Sequence, residues 1–170
     1  MTVPEIERSL DDLTILIDTR EQETPSLRKR LKHFPKWERQ KLDAGDYSAK
    51  VCVNGDWLQI PVAIERKMNF TELATCYCKG RDRFQREFER AKTTGTKIYL
   101  LVENASWEDA YMGNYLSKMS AKSLIASILA WLARYDCQIL FCAPSTTGRL
   151  IRDILYRESR EFLMREYADE

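Results

Sequence analysis

The sequence predicts an α/β protein, a mixed central sheet flanked by helices. Three observations carry that reading. Short apolar, β-branched runs bounded by polar breaks recur at 13–18 ("LTILID"), 97–103 ("KIYLLVE") and 137–143 ("CQILFCA"), the pattern of buried strands. Asn54-Gly55, a strong two-residue hairpin signal, lies between two further strand-like runs. Helical periodicity fills the gaps between the later strands, and strands joined through helices run parallel.

In chain order, "LTILID" is a buried strand ending in Asp18. "TPSLRKRLKHF" follows as a helix: Pro25 stands near its start, Leu27 and Leu31 form one apolar edge, and Arg28, Lys29, Arg30 and Lys32 give it a basic face. "WERQKLDAGDYSAKVCV" holds a strand, a Gly45-Asp46 break and a second strand, which the hairpin joins to "WLQIPVAIERK". From Thr71, a candidate N-cap, "TELATCYCKGRDRFQREFERAKTTG" is helical with an interruption near Gly80; Phe84, Phe88 and Ala91 share a face. "KIYLLVE" is a strand, "SAKSLIASILAWLARY" a helix with a stripe of Leu124, Ile125, Ile128, Leu129 and Leu132, and "CQILFCA" the last strand. "TTGRLIRDILYRESREFLMREY" closes the chain as a helix whose apolar set is wide enough for more than one neighbour.

At 170 residues the chain is expected to be one domain, since domains run to roughly 150 residues. The formal net charge is only +1, so overall charge does not mark a polyanion binder; its distribution says more. Residues 20–41 carry eight basic and three acidic groups (+5), residues 65–92 eight and five (+3), and residues 93–170 nine and ten (−1). Two basic blocks in the first half can face a polyanion, although solvated helix faces give the same count. Five cysteines, an odd number, argue against a secreted disulfide framework, and Cys76 and Cys78 have no second pair at zinc-site spacing. The start "MTVPEIERSLDDL" lacks the apolar core of a signal peptide, and no run approaches the ~20 apolar residues of a membrane span. The expected location is the cytoplasm, with no membrane partner.

The most informative stretch is "AIERKMNF" (63–70), where an apolar run ends in Glu65, Arg66 and Lys67. Side chains alternate along a strand, so Glu65 and Lys67 share a face and Arg66 takes the other. Asp46 follows Gly45 and Asp18 ends the first strand, so acids from separate positions can gather at one end of the sheet. Two or three carboxylates suit a hard cation such as Mg²⁺, which takes few protein ligands. Such an ion polarises a phosphodiester and activates water; a neighbouring ammonium offsets developing charge, and a guanidinium forks onto a phosphate or a carboxylate. The same spacing also suits a strand end capped by salt bridges.

"IDTREQ" (17–22), "LDAGDY" (42–47), "IERK" (64–67), "GRDRFQREFERA" (80–91) and "YLLVE" (99–103) occur in an order that resembles the nuclease domain of XPF-type structure-specific endonucleases, of the restriction-endonuclease-like PD-(D/E)xK fold. The resemblance covers about residues 13–165 of a single domain expected over 1–170, with neither the helix-hairpin-helix motifs nor the helicase of many relatives. It implies that Asp46 and Glu65 are the main metal ligands, Asp18 completes the acidic site, Lys67 is the catalytic ammonium, and Arg66 handles phosphate or supports the site. Arg20 and Glu21 match the first motif, Arg20 as a partner for an acid or a phosphate. Lys79, Arg81, Arg83 and Arg86 would contact the DNA backbone. One departure stands out: the family places an Asp four residues after the lysine, where this chain has Thr71, with Glu72 one later. Either Glu72 takes that role, or Thr71 caps the helix and the acid is dispensable.

The resemblance therefore implies a Mg²⁺- or Mn²⁺-dependent DNA endonuclease acting on branched or flapped duplexes, of a kind found in bacteria or phages and pairing as a homodimer. The alternative is a non-catalytic partner subunit or DNA-binding protein of the same fold, whose mark would be erosion of these residues; here Asp46, Glu65 and Lys67 are all present. Of the tryptophans, Trp57 and Trp131 are expected in the core, and Trp37 and Trp107 are open candidates for base stacking. His33, the only histidine, is expected at a helix end.

Overall fold

The computed structural model describes residues 1–168. In chain order they form α1 (Val3–Asp11), β1 (Thr14–Ile17), α2 (Pro25–Leu31), β2 (Trp37–Arg39), β3 (Tyr47–Val53), β4 (Asp56–Gln59), β5 (Val62–Lys67), α3 (Phe70–Cys78), α4 (Arg81–Thr93), β6 (Lys97–Glu103), α5 (Trp107–Met112), α6 (Ala121–Tyr135), β7 (Gln138–Cys142) and α7 (Pro144–Tyr167). The strands make one mixed sheet of seven, in the order β2-β1-β3-β5-β6-β7 with β4 paired to β3, so the expected α/β architecture holds. No described helix is long and apolar enough to cross a membrane. The chain divides into two compact units.

The first unit holds residues 1–42 and 46–63 and those from Gly148 on. All four residues of β1 are buried; it runs parallel to β2 (Ile15 opposite Trp37) and antiparallel to β3 (Ile15 opposite Ala49). The β3–β4 turn is the expected Asn54-Gly55, with φ of 52° and 93°, the left-handed pair this hairpin turn requires. The run "WLQIPVAIERK", read as one strand, breaks at Pro61: proline has no N–H for a ladder, and the Val62 N–H turns back to the Ile60 carbonyl at 2.7 Å. Thr24 caps α2 by accepting the Leu27 N–H at 3.1 Å. Gly148 leaves no room for a side chain, since a Cβ there would lie 2.6 Å from His33 Cδ2 and 3.0 Å from the Arg30 backbone. Helix α1 was not expected from the sequence. Its Glu5 carboxylate accepts the Thr2 N–H at 2.7 Å, the return half of a capping box legible in "TVPE", and it buries Ile6 and Leu10. Trp57, expected in the core, is 56% exposed on the hairpin.

The second unit holds residues 43–45 and 64–147. Its strands β6 and β7 are parallel, as strands linked through helices should be. Helices α3, α4 and α6 pack through Tyr77, Phe84, Phe88, Trp131 and Tyr135, mostly edge to face with centroids 4.9–6.4 Å apart. Such pairs add about 0.5–1.5 kcal/mol each beyond the area they bury. Asn69, not Thr71, caps α3: its Oδ1 accepts the Glu72 N–H at 2.9 Å. Thr71 Oγ1 instead accepts the Leu116 N–H at 3.0 Å. Leu129, expected in the apolar stripe of α6, is 48% exposed.

Candidate active site

β5 is apolar and buried through Ile64, and its charged end stays with the sheet: Glu65 is 6% and Lys67 7% exposed. The expected alternation holds. Lys67 Nζ donates to Glu65 Oε1, and the same ammonium stands 5.3 Å from the centre of the Phe84 ring. A buried carboxylate needs a partner charge, and one ammonium does not fully repay its desolvation. Burial therefore pushes the Glu65 pKa up; Lys67 opposes that, and the negative charges of Glu87 and Glu72 add to it.

The pair opens onto a cleft of about 370 Å³. Its walls add Lys79 and Gly80 from the α3–α4 junction, Cys76 from α3, and Arg83 and Glu87 from α4. Burial raises the Cys76 thiol pKa, which favours the neutral thiol. Of the residues expected to meet phosphate, the structure brings Lys79 and Arg83 to the cleft. It does not bring Arg81, whose guanidinium lies 5.0 Å over the Trp131 ring, nor Arg86, which is exposed on α4 away from the lining. Glu87 was missed. Its Oε1 accepts the Gly45 N–H at 2.9 Å, which fixes the turn from which Asp46 follows directly in the chain. The signal was available in the sequence: Gly80, Arg83 and Glu87 recur at helical spacing, so the face that carries Arg83 also carries this acid.

Arg66 points to the opposite face of β5, where Nε and Nη2 donate to Glu103 Oε1 and Oε2 at 2.9 and 2.7 Å. Glu72 does not line the cleft, although its charge acts on Glu65. Its Oε2 accepts the Met68 N–H at 2.7 Å and secures the start of α3.

In the first unit, the Asp18 N–H donates to the Asp46 carbonyl at 2.9 Å, so these two expected site residues are neighbours. The Asp18 carboxylate is nonetheless already engaged. Oδ1 accepts from the Arg20 N–H (2.8 Å) and Nε (2.6 Å), and Oδ2 from the Leu42 N–H (2.8 Å) and Arg20 Nη2 (3.2 Å). Burial alone would raise its pKa, but these donors outweigh burial and hold it below the ordinary aspartate value. With four donors on two oxygens, Asp18 ties the β1 end to Leu42, and Arg20 is its clamp. Glu21 closes a separate network. Its Oε2 accepts from Tyr47 Oη (2.9 Å) and Arg30 Nη2 (3.2 Å), and Arg30 Nε donates to Tyr47 Oη (2.9 Å). Burial, first of all, pushes the Tyr47 hydroxyl pKa far up, so it stays a neutral donor.

Among the described residues, no group of three or more His, Cys, Asp or Glu is gathered to hold a metal ion. The cleft does contain two carboxylates, Glu65 and Glu87. That donor set suits Mg²⁺, which binds through one or two carboxylates and takes its remaining ligands from water and substrate phosphate.

Comparison with known proteins then supplies the family. The ERCC4 domain model matches residues 17–154. XPF from Aeropyrum pernix is similar in structure, with a TM-score of 0.62 at 19% identity over 91% of this chain and 69% of that one. A second structure, XPF from Aeropyrum pernix in complex with DNA, gives 0.57 at 19% identity over 92% and 68%. No curated sequence matches the chain.

Proposed function

The chain belongs to the ERCC4 domain family, and from that membership and the charged cleft we propose that it is a divalent-metal-dependent DNA endonuclease. The single observation that carries the proposal is the buried Glu65–Lys67 pair opening onto a cleft lined by Lys79, Arg83 and Glu87. Burying a carboxylate and an ammonium together is often less stable than an apolar replacement of the same volume, so such a pair opening onto a cleft points to function.

Glu65 would hold Mg²⁺ or Mn²⁺, with Glu87 as a second carboxylate of the same cleft. When bound, the ion supplies Lewis-acid activation of a phosphodiester and of an attacking water. The chain's own groups do the rest. Lys67, fixed against Glu65 and the Phe84 ring, offsets charge developing on the phosphate oxygens. Lys79 and Arg83 neutralise the flanking backbone phosphates. The low-dielectric wall of Phe84 strengthens each of these interactions. Branched or flapped duplex DNA is the proposed substrate; one of the two similar XPF structures from Aeropyrum pernix is itself a complex with DNA. A homodimer is also proposed. Tyr111, Met112, Leu116 and Leu129 are exposed, and Tyr111 and Leu129 border an apolar groove of about 470 Å³. A cytoplasmic location and a bacterial or phage origin are part of the same proposal.

The test is nicking of an end-labelled forked duplex with Mg²⁺ or Mn²⁺, beside Asp46→Ala and Glu65→Gln. Cleavage that disappears with EDTA and in both variants is expected. Undiminished cleavage by either variant would remove that residue from the site.

A further inference from the structure

The other face of β5 carries a second buried charge pair. Glu103, at the end of β6, is 2% exposed, and the side chain of its Arg66 partner is 15% exposed. The two parallel bonds between them form a fork that fixes the guanidinium plane as well as its distance. Thr147, fully buried in the first turn of α7, donates its Oγ1 hydrogen to Glu103 Oε1 at 2.6 Å and stands 3.4 Å from Cys142 Sγ. Side chains from β5, β6 and α7 are thereby held together around one carboxylate.

Turning Arg66 toward a phosphate would take two charge-assisted bonds away from the buried Glu103 carboxylate, which is disfavoured in the interior. Arg66 also sits between Glu65 and Lys67 in the chain, so a fork that ties its side chain to β6 constrains the charged end of β5 from which both neighbours leave the strand. We propose that Glu103, acting through Arg66 and oriented by Thr147, is a positioning residue that aims the Glu65 carboxylate and the Lys67 ammonium into the cleft. The proposal rests on the nuclease reading for its functional consequence and on the observed bonds for its structure.

The experiment compares Arg66→Ala, Arg66→Lys, Glu103→Gln, Thr147→Val and the Arg66→Ala/Glu103→Gln double variant in three measurements. These are kcat and KM for nicking a forked duplex, affinity for the same duplex in Ca²⁺ without turnover, and thermal melting. Misaiming a catalytic pair by about 1 Å costs on the order of 10²-fold. Arg66→Ala and Glu103→Gln are each expected to lower kcat by about that factor, with KM and Ca²⁺ affinity unchanged, and the double variant to fall no further than the worse single. Lysine at position 66 is not expected to rescue, because an ammonium cannot make the two parallel bonds. Thr147→Val, which removes only a hydroxyl, is expected to give a smaller loss of the same kind and keeps the test alive if Arg66→Ala fails to fold. Weakened duplex affinity in Arg66→Ala beside full kcat in Glu103→Gln would overturn the proposal and return Arg66 to phosphate binding; additive losses in kcat would overturn it too. Should the wild-type chain nick no duplex, the nuclease reading fails separately. The pair is then judged by melting: a non-additive loss in the double variant upholds the lock and an additive one refutes it.

Discussion

Asp18 and Glu65 are both buried carboxylates at the ends of apolar strands, and their surroundings differ in kind. Asp18 accepts four N–H groups, from Arg20 and Leu42. Glu65 is bonded to the single ammonium of Lys67 and is repelled by Glu87 and Glu72. The pKa values move accordingly, down at Asp18 because the donors outweigh burial and up at Glu65 because burial dominates. A carboxylate saturated with donors holds structure. One left short of compensation still has capacity to hold a cation, and it is kept at some cost to stability.

The largest expected effect separates the two residues by activity. The paired variant Glu65→Gln/Lys67→Met should lower nicking by at least 10²–10³-fold, the scale seen when one charge-stabilising group is removed from an active site, while leaving the melting temperature equal or higher because both members of a desolvated ion pair are replaced together. Asp18→Asn should do the reverse. It turns an acceptor of four bonds into a group with one acceptor oxygen and costs about 1–3 kcal/mol of stability, with activity lost only where the protein unfolds. Urea unfolding beside the nicking assay checks both. Equal loss of stability in the two variants would dissolve the contrast.

The pH dependence sharpens it. Asp18 has a folded pKa below its unfolded value, so its contribution is present above the unfolded pKa of about 3.9 and is lost as pH falls through the folded one. Glu65 has a raised folded pKa, so the folded state holds its proton more tightly and this residue's contribution falls as pH rises from about 4.3 through the folded value. Denaturant unfolding across acidic pH should therefore show a shallower acid loss in Asp18→Asn and a steeper one in Glu65→Gln. Slopes unchanged in both would mean that neither shift is real.

How much of this was legible follows the same physics. Strand ends, the Asn54-Gly55 turn and the alternation of Glu65, Arg66 and Lys67 are local, and local chemistry can be read from the chain. The partners were not legible. Nothing in "IDTR" says that Asp18 would spend its oxygens on Leu42, twenty-four residues away, nor that Arg66 would find Glu103, thirty-seven residues on. Short α5 lacks a sustained apolar period and rests on a Ser106 cap, whereas α1 carries its capping signal in "TVPE" but only two buried apolar residues, Ile6 and Leu10. Glu87 fell between: its position on the face of Arg83 was readable, but its bond to Gly45 was not.

A middle-sized effect belongs to Glu87. Glu87→Gln keeps an oxygen for the Gly45 N–H, whereas Glu87→Ala removes it along with the charge. If the bond to the turn is what matters, Gln should retain most of the nicking rate and Ala should lose about tenfold, in line with one hydrogen bond to a charged acceptor. If both fall alike, the carboxylate acts through its charge, as a metal ligand would.

The smallest effects test which basic residues face DNA. Lys79 and Arg83 line the cleft, Arg81 is committed to the Trp131 ring, and Arg86 stands on α4 outside the lining. A side chain that neutralises one phosphate contributes close to one unit to the slope of log affinity against log salt. Lys79→Ala and Arg83→Ala should each reduce that slope by about one and weaken binding at low salt on every duplex alike. Arg86→Ala should leave the slope unchanged, and Arg81→Ala should leave it unchanged while lowering the melting temperature, since what it loses is a cation–π contact. Because the four residues lie within one short stretch of equal formal charge, a difference among them cannot come from net charge. It would have to come from where α3 and α4 turn each side chain, and a uniform slope change across all four would show that the basic block acts as a diffuse field instead of through the cleft.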